Sequence, residues 1–306
     1  MTRRGGILIV DKPRGPTSHD VVARLRKVFG TRQVGHAGTL DPMATGVLVV
    51  AVDEATKLVP WLTSEDKAYE TTVRFGVATD TLDAEGKETE RREPSLELLA
   101  AIAAGAETGP LAASLAVERA RSSQVPPAYS AIKIDGVRAH AIARSGAVPE
   151  LAARDVQVRS ITIVGAGTSP ADLRLALDVG KGYFVRSLAR DLAASLGTFA
   201  HLVQLRRTRS GVFGLEEAID LEAGPDALRA ALVPLDRAAT RALPASILSE
   251  SGVTAAGHGK RIGPDDLRDG HARPSAWVDA AGQLVAVGEV SEDGLGRVLR
   301  GFPRET

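Results

Sequence analysis

A glycine-rich loop carries the side chain in this sequence that is best suited to chemistry. It runs from Gly35 to Gly46 and contains three glycines, one proline and two threonines, a composition that excludes a regular helix or strand. Asp41 is its only carboxylate, and the proline that follows restricts Asp41 to extended conformations. A carboxylate held in this way could act as a nucleophile or accept a proton. Asp-Pro also opens ordinary turns, so the motif alone leaves a purely structural role open.

The elements on both sides of the loop determine how firmly it is held. Residues 47–52 form a short apolar segment with mostly β-branched side chains, which predicts a buried strand directly after the loop. Upstream, residues 6–10 predict a first strand. A helix follows, with Thr17 or Ser18 as its N-cap and Gly30 at its end. The loop is therefore expected to be anchored to a rigid core at its C-terminal end.

The rest of the chain alternates between predicted helices and strands. The pattern predicts helices over 54–62, over 95–104 and after Lys181, and strands over 67–75, 154–164 and 173–179. Residues 76–93 are polar and predict an exposed hairpin or loop. A connector with a short helix is expected over 221–244. Residues 245–306 predict a small β-rich module with a hairpin around Asp279–Gly282.

Composition places the chain among ordinary globular proteins. It has 306 residues, of which 44% are hydrophobic and 25% charged, and it has no cysteine. A disulfide framework and a thiolate metal site are therefore excluded, and the six histidines show no zinc-helix spacing. The N-terminal apolar run, Ile7–Val10, is too short for a signal-peptide core, and no apolar run approaches the length of a membrane span. We expect a cytoplasmic protein without a bound metal.

The formal net charge is zero, but the charge is unevenly distributed. Residues 1–36 hold eight lysines and arginines against two carboxylates, a local charge of +6. Residues 80–107 hold eight carboxylates against three basic side chains, a local charge of −5. This asymmetry is compatible with a basic face that binds a polyanion such as RNA, and equally with charged surfaces that only contact solvent.

Five stretches, in the same order, resemble the TruB family of tRNA pseudouridine synthases. The first is the loop itself, Gly-His-Ala-Gly-Thr-Leu-Asp-Pro-Met-Ala-Thr-Gly. The others are Lys12–Ser18, Lys67–Glu70, Pro126–Lys133 and Leu205–Gly211. The resemblance as a whole covers most of residues 6–215, and five motifs in the same order make it highly specific.

The resemblance also implies a fold and a domain organisation. It implies an α+β fold in which a mixed, largely antiparallel sheet of the pseudouridine-synthase type is flanked by helices. Residues 1–240 would form the catalytic domain. Residues 245–306 are similar, more weakly, to a PUA-type RNA-binding domain.

The resemblance assigns roles to five residues. Asp41 would be the catalytic carboxylate, and Arg186 would pair with it. Tyr69 would lie against the target base, where an aromatic ring replaces the lost stacking neighbours. Leu205 would form part of the uridine pocket. His36 would fill space left in the RNA, although a lone histidine on a glycine-rich loop also suits a capping role.

One position departs from the family pattern. The usual Gly-Thr-Tyr-Ile-Arg is Gly-Tyr-Phe-Val-Arg here, so Phe184 stands where a tyrosine is expected. The aromatic packing is kept and the hydroxyl is lost. A proton transfer that depends on that hydroxyl is therefore in doubt for this chain.

Three basic residues are candidates for RNA contact. Residues 122–148 resemble the family's RNA-gripping insertion, in which Lys133 and Arg138 would hold phosphates without reading sequence. A solvated amphipathic helix is the alternative for this stretch. Lys12 could reach RNA phosphate or the catalytic loop, but a structural role that supports the site is favoured.

These motifs imply isomerisation of a uridine in the T loop of tRNA, at position 55, to pseudouridine. No cofactor is expected, because the reaction needs neither a redox step nor an energy source. The partner would be the T arm of tRNA, bound by a monomer that needs no protein partner and contacts no membrane. Two alternatives remain open: an RNA-binding or RNA-folding protein with a silent catalytic loop, and a relative that depends on a guide RNA.

Overall fold

The computed structural model describes residues 4–303. The α-helices in this range are α1 (Ser18–Phe29), α2 (Val59–Thr63), α3 (Leu96–Ala104), α4 (Gly109–Arg119), α5 (Ala139–Arg144), α6 (Val185–Ser195), α7 (Pro225–Ala230), α8 (Leu235–Ala242) and α9 (Glu250–Gly257). The strands are β1 (Gly6–Lys12), β2 (Val34–His36), β3 (Thr45–Val52), β4 (Lys67–Phe75), β5 (Val77–Thr79), β6 (Glu88–Arg91), β7 (Ser123–Gln124), β8 (Lys133–Ile134), β9 (Val137–Arg138), β10 (Arg154–Asp155), β11 (Val158–Ala166), β12 (Asp172–Val179), β13 (Ala200–Ser210), β14 (Phe213–Gly214), β15 (Ile219–Asp220), β16 (Val233–Pro234), β17 (Ala245–Leu248), β18 (Leu267–Arg268), β19 (Ser275–Val278), β20 (Leu284–Val290) and β21 (Gly296–Gly301).

Two compact units make up the described part of the chain. The first comprises residues 4–40, 47–64 and 211–303, and the second comprises 41–46 and 65–210. The mixture of helices with a largely antiparallel sheet and a β-rich C-terminal part confirms the predicted α+β class. The division between 1–240 and 245–306 stays a prediction.

An antiparallel sheet forms the second unit, with strand order β11-β12-β4-β13. Alternate residues of β4, such as Val73 and Phe75, are buried, while Glu70 and Arg74 lie on the opposite face. This two-residue period is what a sheet covered on one side requires. Helices α3, α4 and α6 pack against this sheet, and their buried side chains include Leu188.

In the first unit, β3 lies beside β1, which pairs in parallel with β15 and antiparallel with β16. Helix α1 begins at a capping box formed by Thr17 and Asp20, and it ends at Gly30, which adopts a left-handed φ of 64°. Both ends of this helix are as predicted. Instead of one helix over 54–62, a 3₁₀ segment precedes α2, because Pro60 in the first turn of α2 has no N–H to extend an earlier helix.

A five-stranded sheet with the order β18-β17-β19-β20-β21 forms the C-terminal part of the first unit. The predicted hairpin around Asp279–Gly282 is confirmed as the connection between β19 and β20. Trp277 is fully buried in a cluster of side chains from this part alone. Residues such as Val278 and Phe302 instead pack in a second cluster with Ile7 and Val49 of the first unit's other sheet. This sheet therefore contributes side chains to two hydrophobic cores.

Candidate active site

The backbone around Asp41 is fixed on both sides. Before it, the Ser18 hydroxyl accepts from the Leu40 N–H at 2.9 Å and donates to the Leu40 carbonyl at 3.1 Å. After it, the Ala44 N–H donates to the Asp41 carbonyl at 3.1 Å. The loop ends at Gly46, whose φ is 100° and where a Cβ atom would lie 2.1 Å from the Arg207 carbonyl oxygen. Only glycine allows this close approach to β13.

Arg186 is the direct partner of the Asp41 carboxylate. Its Nε lies 2.9 Å from Asp41 Oδ2, and its side chain is 6% exposed while that of Asp41 is 35% exposed. The two terminal nitrogens donate to the Thr81 and Tyr129 carbonyls at 2.8 Å each. The planar guanidinium is thus held from three directions, which fixes the direction of its bond to Asp41. The predicted pairing of these two residues is present in the structure.

A second carboxylate, Asp83, lies near another nitrogen of this guanidinium. Its Oδ2 is 3.9 Å from Arg186 Nη1, and the residue is buried. The other carboxylate oxygen accepts from the Thr81 hydroxyl at 2.6 Å and from the Glu85 N–H at 3.1 Å. Two carboxylates therefore flank one buried cation. Paired charges tolerate burial far better than a single charge does.

Sequence reasoning missed Asp83, because it lies in the polar stretch 76–93 that predicts an exposed loop. The strands β5 and β6 do pair as a hairpin there, but only β6 is exposed, and the turn between them folds inward. Its Leu82 carbonyl accepts from the Leu202 N–H, and the Ala84 N–H donates to the Leu202 carbonyl. A Thr-Leu-Asp turn among charged residues gives no local sign of burial.

Three further predicted residues lie on elements of the same unit. Tyr69 is buried in β4, opposite Arg207 of β13. Leu205 is buried in β13, next to Arg206, which pairs with Thr45 at the end of the loop that carries Asp41. Strand β13, which pairs with β4, therefore lies directly beside the C-terminal end of the loop that carries Asp41. Phe184 is half-buried and is the N-cap residue of α6, two positions before Arg186.

Lys133 and Arg138 face each other on a small hairpin. They form a directly opposed pair between β8 and β9, and both are exposed. The connecting Asp135 and Gly136 both have positive φ, as a two-residue turn of this type requires. The predicted amphipathic-helix alternative is wrong for these two residues, since α5 begins only at Ala139. Like charges opposite each other are unfavourable unless an anion lies between them.

Lys12 and His36 lie in the first unit. Lys12 is fully buried, and its ammonium donates to the Pro13 and Pro16 carbonyls at 2.8 Å each. This geometry favours the supporting role over a phosphate contact. The His36 ring lies edge-on to the ring of His19, with centroids 5.5 Å apart and an angle of 84° between the rings.

Two features of residues 4–303 bear on other classes of site. No group of three or more His, Cys, Asp or Glu side chains in this range could hold a metal ion. No single helix in it is long and apolar enough to cross a membrane. Only α3 and α4 taken together reach that length and composition, and a 74° bend separates them.

The chain matches known proteins over most of its length. The family model described as TruB family pseudouridylate synthase (N terminal domain) matches residues 26–185, and the tRNA pseudouridylate synthase B C-terminal domain matches residues 186–240. A protein named tRNA pseudouridine synthase B from Mycobacterium sp. (strain KMS) is 45% identical over 262 residues, 85% of each chain. One of the same name from Thermobifida fusca (strain YX) is 44% identical over 292 residues, 93% of this chain and 94% of the relative.

Solved structures agree with this result at the level of the fold. A protein from a crystal structure of a Cbf5-Nop10-Gar1 complex has a TM-score of 0.70 and 26% identity, and the match covers 98% of this chain and 84% of that one. The ordered motifs, the paired Asp41 and Arg186, and the matches in sequence and structure agree. The chain belongs to the TruB family of pseudouridylate synthases.

Proposed function

We propose that this protein converts a uridine in the T loop of tRNA, at position 55, to pseudouridine. The observation that carries the proposal is the ion pair between Asp41 and the buried Arg186 at 2.9 Å, on a loop that matches the family's catalytic motif. The relatives named tRNA pseudouridine synthase B support tRNA as the substrate. The protein would act as a monomer on the T arm, without a cofactor.

The reaction rearranges one nucleoside. The bond between N1 of uracil and C1′ of the ribose breaks, the base turns over, and a bond forms between C5 and C1′. C5 loses its proton and N1 gains one, so no atom is consumed or released overall. Asp41 could add to the sugar, add to the base or remove a proton from the sugar. Each route needs the carboxylate held in one direction, and Arg186 Nε holds it there from 2.9 Å.

The other site residues would act on the base. Tyr69 would stack on the uracil and take the C5 proton late in the reaction, and Leu205 would close the pocket beside it. Phe184 keeps an aromatic ring at its position but offers no proton. Tyr69 would therefore supply the phenol that takes part in the chemistry.

A uridine in a folded loop must leave its base stack to reach Asp41. This costs on the order of a few kcal/mol. Phosphate contacts from exposed cations, including Lys133 and Arg138, would offset that cost. His36 would fill the space that the base leaves.

The deciding experiment compares the wild-type protein with Asp41→Asn on a minimal T-arm stem-loop. Pseudouridine is mapped in the product, and RNA binding is measured in parallel. We expect the variant to bind RNA normally and to form no pseudouridine. Tight binding by a wild-type protein that forms no product would favour the RNA-binding or RNA-folding alternative. Activity that appears only when a guide RNA is added would favour the guide-dependent one.

A further inference from the structure

Gln124 forms a double hydrogen bond with the backbone at the start of α6. It ends β7 and is 1% exposed. Its Nε2 donates to the Phe184 carbonyl at 3.2 Å, and its Oε1 accepts from the Phe184 N–H at 2.9 Å. A glutamine amide used in this way takes the place of one residue of a neighbouring strand, since it supplies one donor and one acceptor in a plane.

The start of α6 needs such a support. Phe184 is the N-cap residue, and its side chain makes no capping hydrogen bond. The usual polar N-cap side chain is therefore absent, and that loss leaves the first turn of a helix less well fixed. Arg186 lies in this first turn. Any rotation of the turn would move the guanidinium away from Asp41.

The residues that follow Gln124 continue the same support. The Val125 carbonyl accepts from the Ser187 hydroxyl at 2.9 Å and from Arg190 Nη2 at 2.8 Å. The Tyr129 carbonyl accepts from Arg186 at 2.8 Å. Residues 124–129 thus run along the first turns of α6 and bind them at successive positions. Val125 and Tyr129 do so with backbone carbonyls, which a substitution leaves in place, whereas Gln124 does so with a side chain that a substitution can remove.

We infer that Gln124 is a positioning residue for the reaction: its amide fixes the Phe184 backbone and thereby aims Arg186 at Asp41. The inference rests on the proposed function only for its catalytic consequence. The amide bonds to the Phe184 backbone and not to Asp41, so its effect on the reaction passes through Arg186. Its loss should reduce the rate of chemistry and leave tRNA binding intact.

The charged surroundings of Gln124 bear on the choice of variant. The buried Tyr183 hydroxyl lies beside its amide, and burial raises the pKa of that hydroxyl, so it is neutral. Near Tyr183, Glu118 pairs with Arg121, and Asp191 lies 3.6 Å from Arg121 and 2.7 Å from Arg190. Burial raises the pKa of Glu118 itself. Burial at position 124 would likewise raise the pKa of a carboxyl group introduced there, so that it gains its proton as pH falls.

Two variants at this position distinguish a loss of Arg186 orientation from a general loss of protein stability. Gln124→Ala removes both bonds, and we expect its single-turnover rate to fall by about 10- to 100-fold at an unchanged Kd for tRNA. Gln124→Glu keeps the shape, but as a carboxylate it opposes the Phe184 carbonyl, and as a carboxylic acid it restores the donor. Its rate relative to wild type should therefore recover as pH falls from about 8 to about 6, whereas the deficit of Gln124→Ala should not change.

The matched control is Thr198→Val, which deletes another buried side-chain bond of this unit, from the Thr198 hydroxyl to the Arg92 carbonyl. We expect its rate to equal that of wild type. Wild-type rates for Gln124→Ala, or equal losses in Gln124→Ala and Thr198→Val, would overturn the inference.

Hydrogen exchange of the peptide over residues 184–190 gives a readout that does not require activity. Faster exchange there in Gln124→Ala, but not in Thr198→Val, supports the fixing of the first turn of α6. Unchanged exchange overturns it. If the wild-type protein forms no pseudouridine, the proposed function fails, and the exchange experiment still decides the structural part of the inference.

Discussion

Replacing Arg186 by methionine tests the central ion pair. The variant keeps a long side chain but removes the bond to Asp41 at 2.9 Å and the donors to Thr81 and Tyr129. A hydrogen bond between charged groups contributes about 1.5–3 kcal/mol. Since each 1.36 kcal/mol is a factor of ten in rate, the loss of this bond alone should slow the reaction by about 13- to 160-fold.

Stability should fall as well. Breaking a buried ion pair by removing one partner costs about 3–5 kcal/mol, and here two carboxylates, Asp41 and Asp83, lose their shared cation. The rate must therefore be measured well below the unfolding temperature of the variant, with circular dichroism to confirm that it is folded.

The assay follows tritium released from C5 of the uridine in a single turnover, with enzyme in excess over a T-arm stem-loop. Arg174→Met is the matched control, because Arg174 is an exposed arginine of β12 in the same unit. We expect wild-type rates for this control. A folded Arg186→Met protein with a rate within about twofold of wild type, far below the factor expected from the bond energy, would refute the reasoning.

Two further predictions concern RNA binding and pH. Replacing both Lys133 and Arg138 by serine should weaken T-arm binding and reduce the steepness of the fall of log K with log salt by about 1–2. The rate at saturating enzyme should stay unchanged. A larger effect on rate than on affinity would contradict a role of these residues in holding the RNA. Burial and the nearby Arg207 lower the pKa of Lys67 to about 8 from 10.5, so the unfolded chain binds more protons between these values. The free energy of unfolding should therefore rise from about pH 8 to about pH 10 relative to Lys67→Met, as denaturant titrations would measure; parallel curves for the two proteins would contradict it.

Local patterns were sufficient for several elements that hold the site. The alternation over residues 67–75 predicts β4 with the bounds that the structure has. The N-cap and glycine signals predict both ends of α1, because capping depends on neighbouring residues only. In contrast, α4 was not predicted, since its small alanine-rich side chains give little contrast between its faces. The strand β13 was also missed, because its many arginines obscure the alternation.

The sequence by itself indicated the type of chemistry, through ordered motifs that resemble a family, and it pointed to Asp41 as the candidate carboxylate, because glycine and proline patterns are local features. It also indicated Arg186, through a family resemblance. Only the tertiary structure decided that Asp83 lies beside Arg186 and that Gln124 holds the helix that carries it. These contacts join segments that are distant in the chain, and burial of a polar residue depends on what folds over it. No local pattern carries that information.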